Sequence, residues 1–165
     1  MNEYNIAISA SKSYAPYAKV MLSSFYSMHP NSKVNLYLFY LDASIENLKF
    51  DLIELSQAHN ESNLVDFVKL NYDQVKSVDN KNGWALDLWC RWYLLDYLLG
   101  KCDRVIILGI DTMLQGSIEE FYFQNLDKYY FSCCSDMYIN NSDSKLWGSI
   151  KSEMDRLNFI DKTKY

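Results

Sequence analysis

Two hydrophobic patterns alternate along this chain. Residues 5–10 and 33–41 are apolar, aromatic or small at almost every position, as a strand covered on both faces requires. Between and after them, Tyr17, Val20, Met21, Phe25 and Met28, and then Ile45, Leu48, Leu52 and Leu55, recur every third or fourth place. That spacing makes one apolar stripe on a helix. The first helix is expected to be capped by Ser13, with Pro16 in its first turn and His29-Pro30-Asn31 at its end; Ser44 is expected to cap the second.

The alternation continues. Residues 64–70 read as a third strand with Val65 and Phe67 on one face, and residues 71–83 have no period, so they form a surface loop or part of a ligand lid. Residues 84–99 read as an apolar helix whose core contacts are Leu86, Cys90, Tyr93, Leu94, Tyr97 and Leu98, stopped by Gly100. The run at 105–108 reads as a central strand buried on both faces. Ser117-Ile-Glu-Glu120 is a capping box opening a short helix through Phe121 and Tyr122. A strand at 129–134 and an amphipathic helix at 143–159 complete the pattern. Strands alternating with helices predict an α/β fold, a mostly parallel sheet flanked by helices, in a single domain spanning 1–165.

Composition narrows the function. Apolar residues make up 49% of the 165 and charged residues 22%, which is globular, and a net charge of −5 with scattered basic residues argues against a nucleic-acid partner. The N-terminus runs directly into an apolar strand and no long apolar segment follows, so neither a secretory signal nor a transmembrane segment is expected, and the location is read as cytoplasmic. Cys90, Cys102, Cys133 and Cys134 lack metal-ligand spacing and are expected to be reduced core residues. His29 and His59 are expected at the surface.

The candidate chemistry gathers after the run at 105–108, where Asp111 follows Gly109 and Ile110. In open α/β sheets ligands bind outside the carboxyl ends of the strands, so an acid there is a site candidate, although Asp is also an ordinary turn residue. Arg91, within an apolar helix, needs an anionic partner: Asp87 one turn back, or a ligand phosphate. Asp136 follows the next strand in the same way.

Three separated segments, Ile8-Ser-Ala-Ser-Lys-Ser-Tyr-Ala-Pro-Tyr17, Cys90-Arg-Trp-Tyr-Leu-Leu95 and Cys102-Asp-Arg-Val-Ile-Ile-Leu-Gly-Ile-Asp111, stand in the order found in glycosyltransferase family 8. The chain resembles that family, which includes glycogenin and bacterial lipopolysaccharide galactosyl- and glucosyltransferases, over nearly its whole length. The resemblance implies a GT-A, Rossmann-like fold and transfer of a hexose from a UDP-sugar, with retention, to a saccharide or lipopolysaccharide acceptor, at or near the inner membrane. It also implies that Tyr14 stacks on uracil, that Ser9, Ala10, Ser11, Ser13 and Ile110 line the nucleotide-sugar site, and that Arg91 approaches the diphosphate or donor sugar. Arg91 and Asp111 would be catalytic, Asp136 would stand on the acceptor or donor-sugar side, and Mn2+ or Mg2+ would be the cofactor.

One departure stands out. The family pattern at the metal is Asp-x-Asp, and here Gly109 replaces the first acid; the third protein ligand, a downstream histidine, would lie beyond Tyr165. Hard divalent cations favour charged oxygen ligands. The expectation is therefore an incomplete or degenerate member in which Asp111 is a weak metal ligand, turnover is slow, and Gly109→Asp strengthens manganese binding. A phosphatase of the aspartyl-phosphate type is the rival enzyme, but Gly109 stands where its nucleophile would be. A nucleotide-binding or structural module without chemistry is the non-enzymatic alternative.

Overall fold

Strand β1 (Glu3–Ala10) is the one on which the others are laid. In the computed structural model, which describes residues 1–11, 13–41, 45–71, 91–127 and 132, β1 pairs in parallel with β2 (Lys33–Tyr40) along its entire length, from Glu3 opposite Lys33 to Ala10 opposite Tyr40. β2 pairs with β3 (Leu64–Lys69), and β1's other edge takes β4 (Ile106–Ile107), all parallel, giving the order β3-β2-β1-β4. The helices are α1 (Tyr17–Met28), α2 (Glu46–His59), α3 (Arg91–Leu98) and α4 (Glu119–Tyr122). The chain divides into two compact units, Met1–Phe123 and Gln124–Tyr165, and every element named here belongs to the first.

The period of two in β1 and β2 sorts the core into two layers. Tyr4, Ile6, Ile8 and Ala10 of β1 and Val34, Leu36, Leu38 and Tyr40 of β2 belong to one apolar cluster with Ala18, Met21, Leu22 and Phe25 of α1, Leu48 and Leu52 of α2, and Tyr122 of α4. The intervening Ala7, Tyr37 and Phe39 belong to another, with Val68 and with Leu94 and Leu98 of α3. Each large side chain so buried contributes roughly 1.5–3 kcal/mol. The expected stripe of α2 is present, with Leu55 partly buried, and Val65 and Phe67 share the α1 and α2 face.

The end of α3 follows the expected glycine signal. Gly100 has φ 76°, a left-handed conformation that costs glycine little, and the Leu98 carbonyl accepts from Lys101 N at 2.9 Å and Cys102 N at 3.4 Å. Cys102 is a half-buried free thiol, its pKa pushed up by burial, as a reduced core cysteine should be.

Several expectations need correction. β4 pairs over two residues rather than four and is not covered on both faces: Ile106 is buried and Ile107 is 43% exposed. Ser13 does not cap α1; Pro16 holds the cap position without a side-chain hydrogen bond, and the chain enters the helix through turns in which the Ser11 carbonyl accepts from Tyr14 N and Ala15 N. His29 is buried, not superficial, and His59 stacks on Tyr26 at 4.0 Å between ring centroids. Ser44, the first half of the helix expected at 84–99, the strand at 129–134 and the helix at 143–159 lie outside the described residues.

His29 ties distant parts of the chain together. Its Nδ1 lies 3.0 Å from the Phe25 carbonyl oxygen, and its Nε2 lies 3.1 Å from Ile118 N and 3.2 Å from Ser117 Oγ. A carbonyl only accepts and a backbone N–H only donates, so the ring is neutral and protonated on Nδ1. Asn5 of β1 donates from Nδ2 to the Arg104 carbonyl at 3.0 Å and from its backbone N to Tyr122 Oη at 2.9 Å. These bonds hold the segment flanking β4 to β1, where the ladder itself is short.

Candidate functional site

The strand order contains a reversal. β1, β2 and β3 are laid successively outward in one direction, and β4 then returns to the free edge of β1, so the connections leaving β1 and β4 diverge at one end of the sheet. Such a switch point opens a crevice outside the carboxyl ends of the strands, where ligands of open α/β sheets bind. Here two loops flank it: the one leaving β1, whose described residues are 11 and 13–16, and residues 108–116, leaving β4.

The register carries the placement further. Ala7 pairs with Ile107, and Leu108 N donates to the Ala7 carbonyl at 3.1 Å, so Ser9 and Ala10 follow on one strand as Gly109 and Ile110 follow on the other. Ser9 and Ala10 are buried at the end of β1, Ser11 is half-buried, and Ser13 and Tyr14 are exposed on the turn. Ile110 is buried in the same apolar cluster as Ala10 and Ala15, which joins the two loops through their feet. Ser24 of α1 fastens the second loop again, its Oγ accepting from Leu114 N at 3.0 Å.

On this base the polar groups are presented outward. Tyr14 is 48% exposed, its ring 5.8 Å from that of Tyr17, and so offers an aromatic face. Gly109, Ile110, Asp111 and Thr112 form a turn closed by Thr112 N donating to the Gly109 carbonyl at 3.0 Å. Asp111 is exposed on it. Arg91 is the first residue of α3; the placement of its side chain, like all of Asp136, lies outside the described residues.

A divalent cation at this position needs several oxygen donors. Of the two positions of the acidic motif only Asp111 is a carboxylate, and a Cβ added to Gly109 would stand 2.9 Å from Asp111 Oδ1 and 3.0 Å from Thr112 Oγ1. The tips of the Asp111 and Thr112 side chains thus stand beside Gly109 where the side chain of a first acid would begin, and would shift to admit one. Among the described residues no group of three acidic, histidine or cysteine side chains could hold a metal ion. These residues do not fit a two-carboxylate centre.

Sequence reasoning overlooked the groups that hold the site rather than line it. Asn5, Ser24 and His29 find partners about 90 residues or more away, a separation that leaves no periodic trace. Thr112 could have been found from its place beside Asp111. A cleft of about 920 Å³ lined by Asn2, Ser117, Glu119, Glu120 and Phe123 lies toward the opposite end of β1, away from the switch point. No described helix is long and apolar enough to cross a membrane.

Known proteins share this arrangement. The sequence profile of Glycosyl transferase family 8 matches residues 5–159. A Haemophilus influenzae protein with a provisional glycosyltransferase name is 26% identical over 145 residues, covering 82% of this chain and 40% of its own. Among solved structures, the galactosyltransferase LgtC in complex with donor and acceptor sugar analogues superposes with a TM-score of 0.70 at 18% identity, over 84% of this chain and 49% of LgtC. The bifunctional glycosyltransferase WbbM gives 0.61 at 18% identity, over 76% of this chain and 21% of WbbM. The chain therefore spans half or less of the length of these relatives. At such identities the structural likeness establishes the GT-A-type fold, a parallel sheet flanked by helices, and the profile match over most of the chain establishes the lineage: this protein belongs to glycosyltransferase family 8.

Proposed function

We propose that this chain is the nucleotide-sugar-binding part of a retaining hexosyltransferase and takes a UDP-sugar at the β1–β4 switch point. The observation that carries the reading is the convergence of the two loops there, one offering Tyr14 and the serine turn, the other Ile110 and Asp111. Tyr14 stacks on the uracil, an arrangement favoured by its exposed, rigid ring. Ser9, Ala10, Ser11 and Ser13 hold the nucleotide through backbone and hydroxyl groups, which are neutral partners and weaker than a charged acceptor. Arg91 neutralises the diphosphate as it becomes a leaving group, an electrostatic contribution that grows as charge develops. Asp136 stands on the donor-sugar or acceptor side, and the acceptor is a saccharide of the lipopolysaccharide type, reached at the inner face of the inner membrane.

Turnover is expected to be slow, because Gly109 removes half of the acidic motif. That same residue favours a second reading, a module that binds nucleotide without chemistry. Both are separated by one pair of measurements on the full chain: the melting temperature with UDP, ADP and GDP, and UDP release from UDP-glucose and UDP-galactose with a saccharide acceptor. Selective stabilisation by UDP with measurable release supports the transferase, and stabilisation without release supports the module. Equal stabilisation by all three nucleotides overturns the UDP-sugar site and leaves an unselective nucleotide module, and absent stabilisation overturns both.

A further inference from the structure

The turn after β4 carries more information than the loss of one acid. Its four residues close on themselves through the hydrogen bond from Thr112 N to the Gly109 carbonyl, and the Asp111 carboxylate and the Thr112 hydroxyl both lean over the Cα of Gly109. Glycine leaves room for this. With another residue at 109, a Cβ would sit 2.9 Å from the Asp111 oxygen, whose side-chain tip would have to shift, and 3.0 Å from the Thr112 oxygen, which would have to give by a few tenths of an ångström.

Among the described residues neither oxygen has another partner. Asp111 is exposed, and no described residue forms a side-chain hydrogen bond or ion pair with Asp111 or Thr112. One carboxylate and one neutral hydroxyl, converging at the mouth of a switch point, make a poor cage for a hard divalent cation, which requires several oxygens and charge to offset its lost hydration. They make a good cradle for a polyol. A carboxylate accepts from two neighbouring hydroxyl groups at once, and a threonine hydroxyl can donate or accept as the ring demands.

Resting on the donor site proposed above, we propose that Gly109 is the specificity-determining position that turns this motif from a metal centre into a metal-independent sugar-hydroxyl cradle, in which Asp111 and Thr112 bind a vicinal diol of the UDP-sugar directly. The diol belongs to the ribose or to the transferred hexose. Both present the same chemistry, and UDP alone against UDP-hexose tells them apart.

The test uses the full 165-residue chain, with UDP, UDP-glucose and UDP-galactose titrated by calorimetry in EDTA and in Mn2+, and Mn2+ itself titrated by electron paramagnetic resonance. For the unaltered chain, affinity should differ by less than about threefold between EDTA and Mn2+. Asp111→Ala should weaken binding roughly tenfold to hundredfold, the range for hydrogen bonds to a charged acceptor. A loss for UDP and UDP-hexose alike assigns the ribose, and a loss for UDP-hexose alone assigns the hexose. Asp111→Asn, which keeps one acceptor oxygen and the side-chain shape, should lose less. Gly109→Asp should displace both oxygens, lower the metal-free affinity, and make Mn2+ binding detectable in the presence of UDP.

The inference is overturned by stoichiometric Mn2+ binding to the unaltered chain, by a tenfold or larger gain in nucleotide affinity on adding Mn2+, or by Asp111→Ala binding all three ligands as the unaltered chain does. If the unaltered chain binds no uridine nucleotide under either condition, the donor site itself has failed and the cradle falls with it. If UDP binds and only the metal and Asp111 results go the other way, the donor site stands and the cradle alone is wrong.

Discussion

The two edges of β1 are built differently. Toward β2 the strand keeps eight paired residues and buries side chains on both faces, whereas toward β4 it keeps two, and Ile107 is half-exposed. The first edge holds itself by burial. The second is held by polar bridges, from Asn5 to Arg104 and Tyr122, from Ser24 to Leu114, and from His29 to Ser117 and Ile118. A ladder that stops early releases backbone for turns, and the residues it releases, Gly109 to Thr112, form the turn that leaves β4 at the switch point, with Ile110 buried beneath it and Asp111 exposed on it. The eight-residue ladder thus lies on the opposite edge of β1 from the proposed donor site, which uses the backbone left unpaired beside β4.

That contrast can be broken by mutation. Leu36→Ala, at a fully buried β2 position, should cost about 3 kcal/mol in urea unfolding, because a cavity opens where nothing can collapse into it. His29→Phe fills the same space but strands the Ile118 N–H, and should cost roughly 2 kcal/mol of stability. If it costs nothing, the polar bridges do not hold the second edge. Ile107→Ala, on the short ladder, should cost under about 1 kcal/mol, since that side chain has already kept much of its contact with water. A loss equal to that of Leu36→Ala would erase the distinction between the two edges.

The smallest expected effect is one of pH, and it belongs to the well-packed side. Burial holds the His59 imidazole below its ordinary value, where it stacks on Tyr26. Below about pH 6.5 the unfolded chain therefore binds a proton that the folded chain resists. Stability is complete above that pH and declines as pH falls through it toward the depressed native value. Thermal unfolding at pH 7.5 and 5.5 should show the decline, and His59→Phe, which preserves the stacked ring, should flatten it. An unchanged slope in the variant would assign the decline to other groups.

How legible the molecule was in its sequence depended on how local each determinant is. The apolar runs of β1 and β2, the stripe of α2 and the glycine stop after α3 could be read because each reports the burial or dihedral angle of the residue that carries it, whereas in α1 only Met21 and Phe25 of the expected stripe are buried, Tyr17, Val20 and Met28 being exposed and Ala18, Leu22 and Tyr26 facing the core instead. The end of β4 could not. Val105 and Leu108 are as apolar as Ile106, so nothing in their side-chain character marks where the pairing with β1 stops. Ser13 failed as a cap for a related reason: the Ser11 carbonyl had already closed the turn. His29 was misjudged because a lone histidine gives no sign of a partner almost ninety residues away.

By itself the sequence determined the α/β alternation, the identity of the apolar runs and the replacement of an acid by Gly109, since burial and backbone freedom are properties of single residues and their near neighbours. Tertiary structure alone decided that β4 returns to the free edge of β1, that the two loops share one apolar foot, and that Asp111 and Thr112 lean into the space glycine leaves. The first two are relations between segments about a hundred residues apart, which exist only once the sheet has fixed which strand lies beside which, and the third is a local turn geometry set by the backbone where the β4 ladder stops.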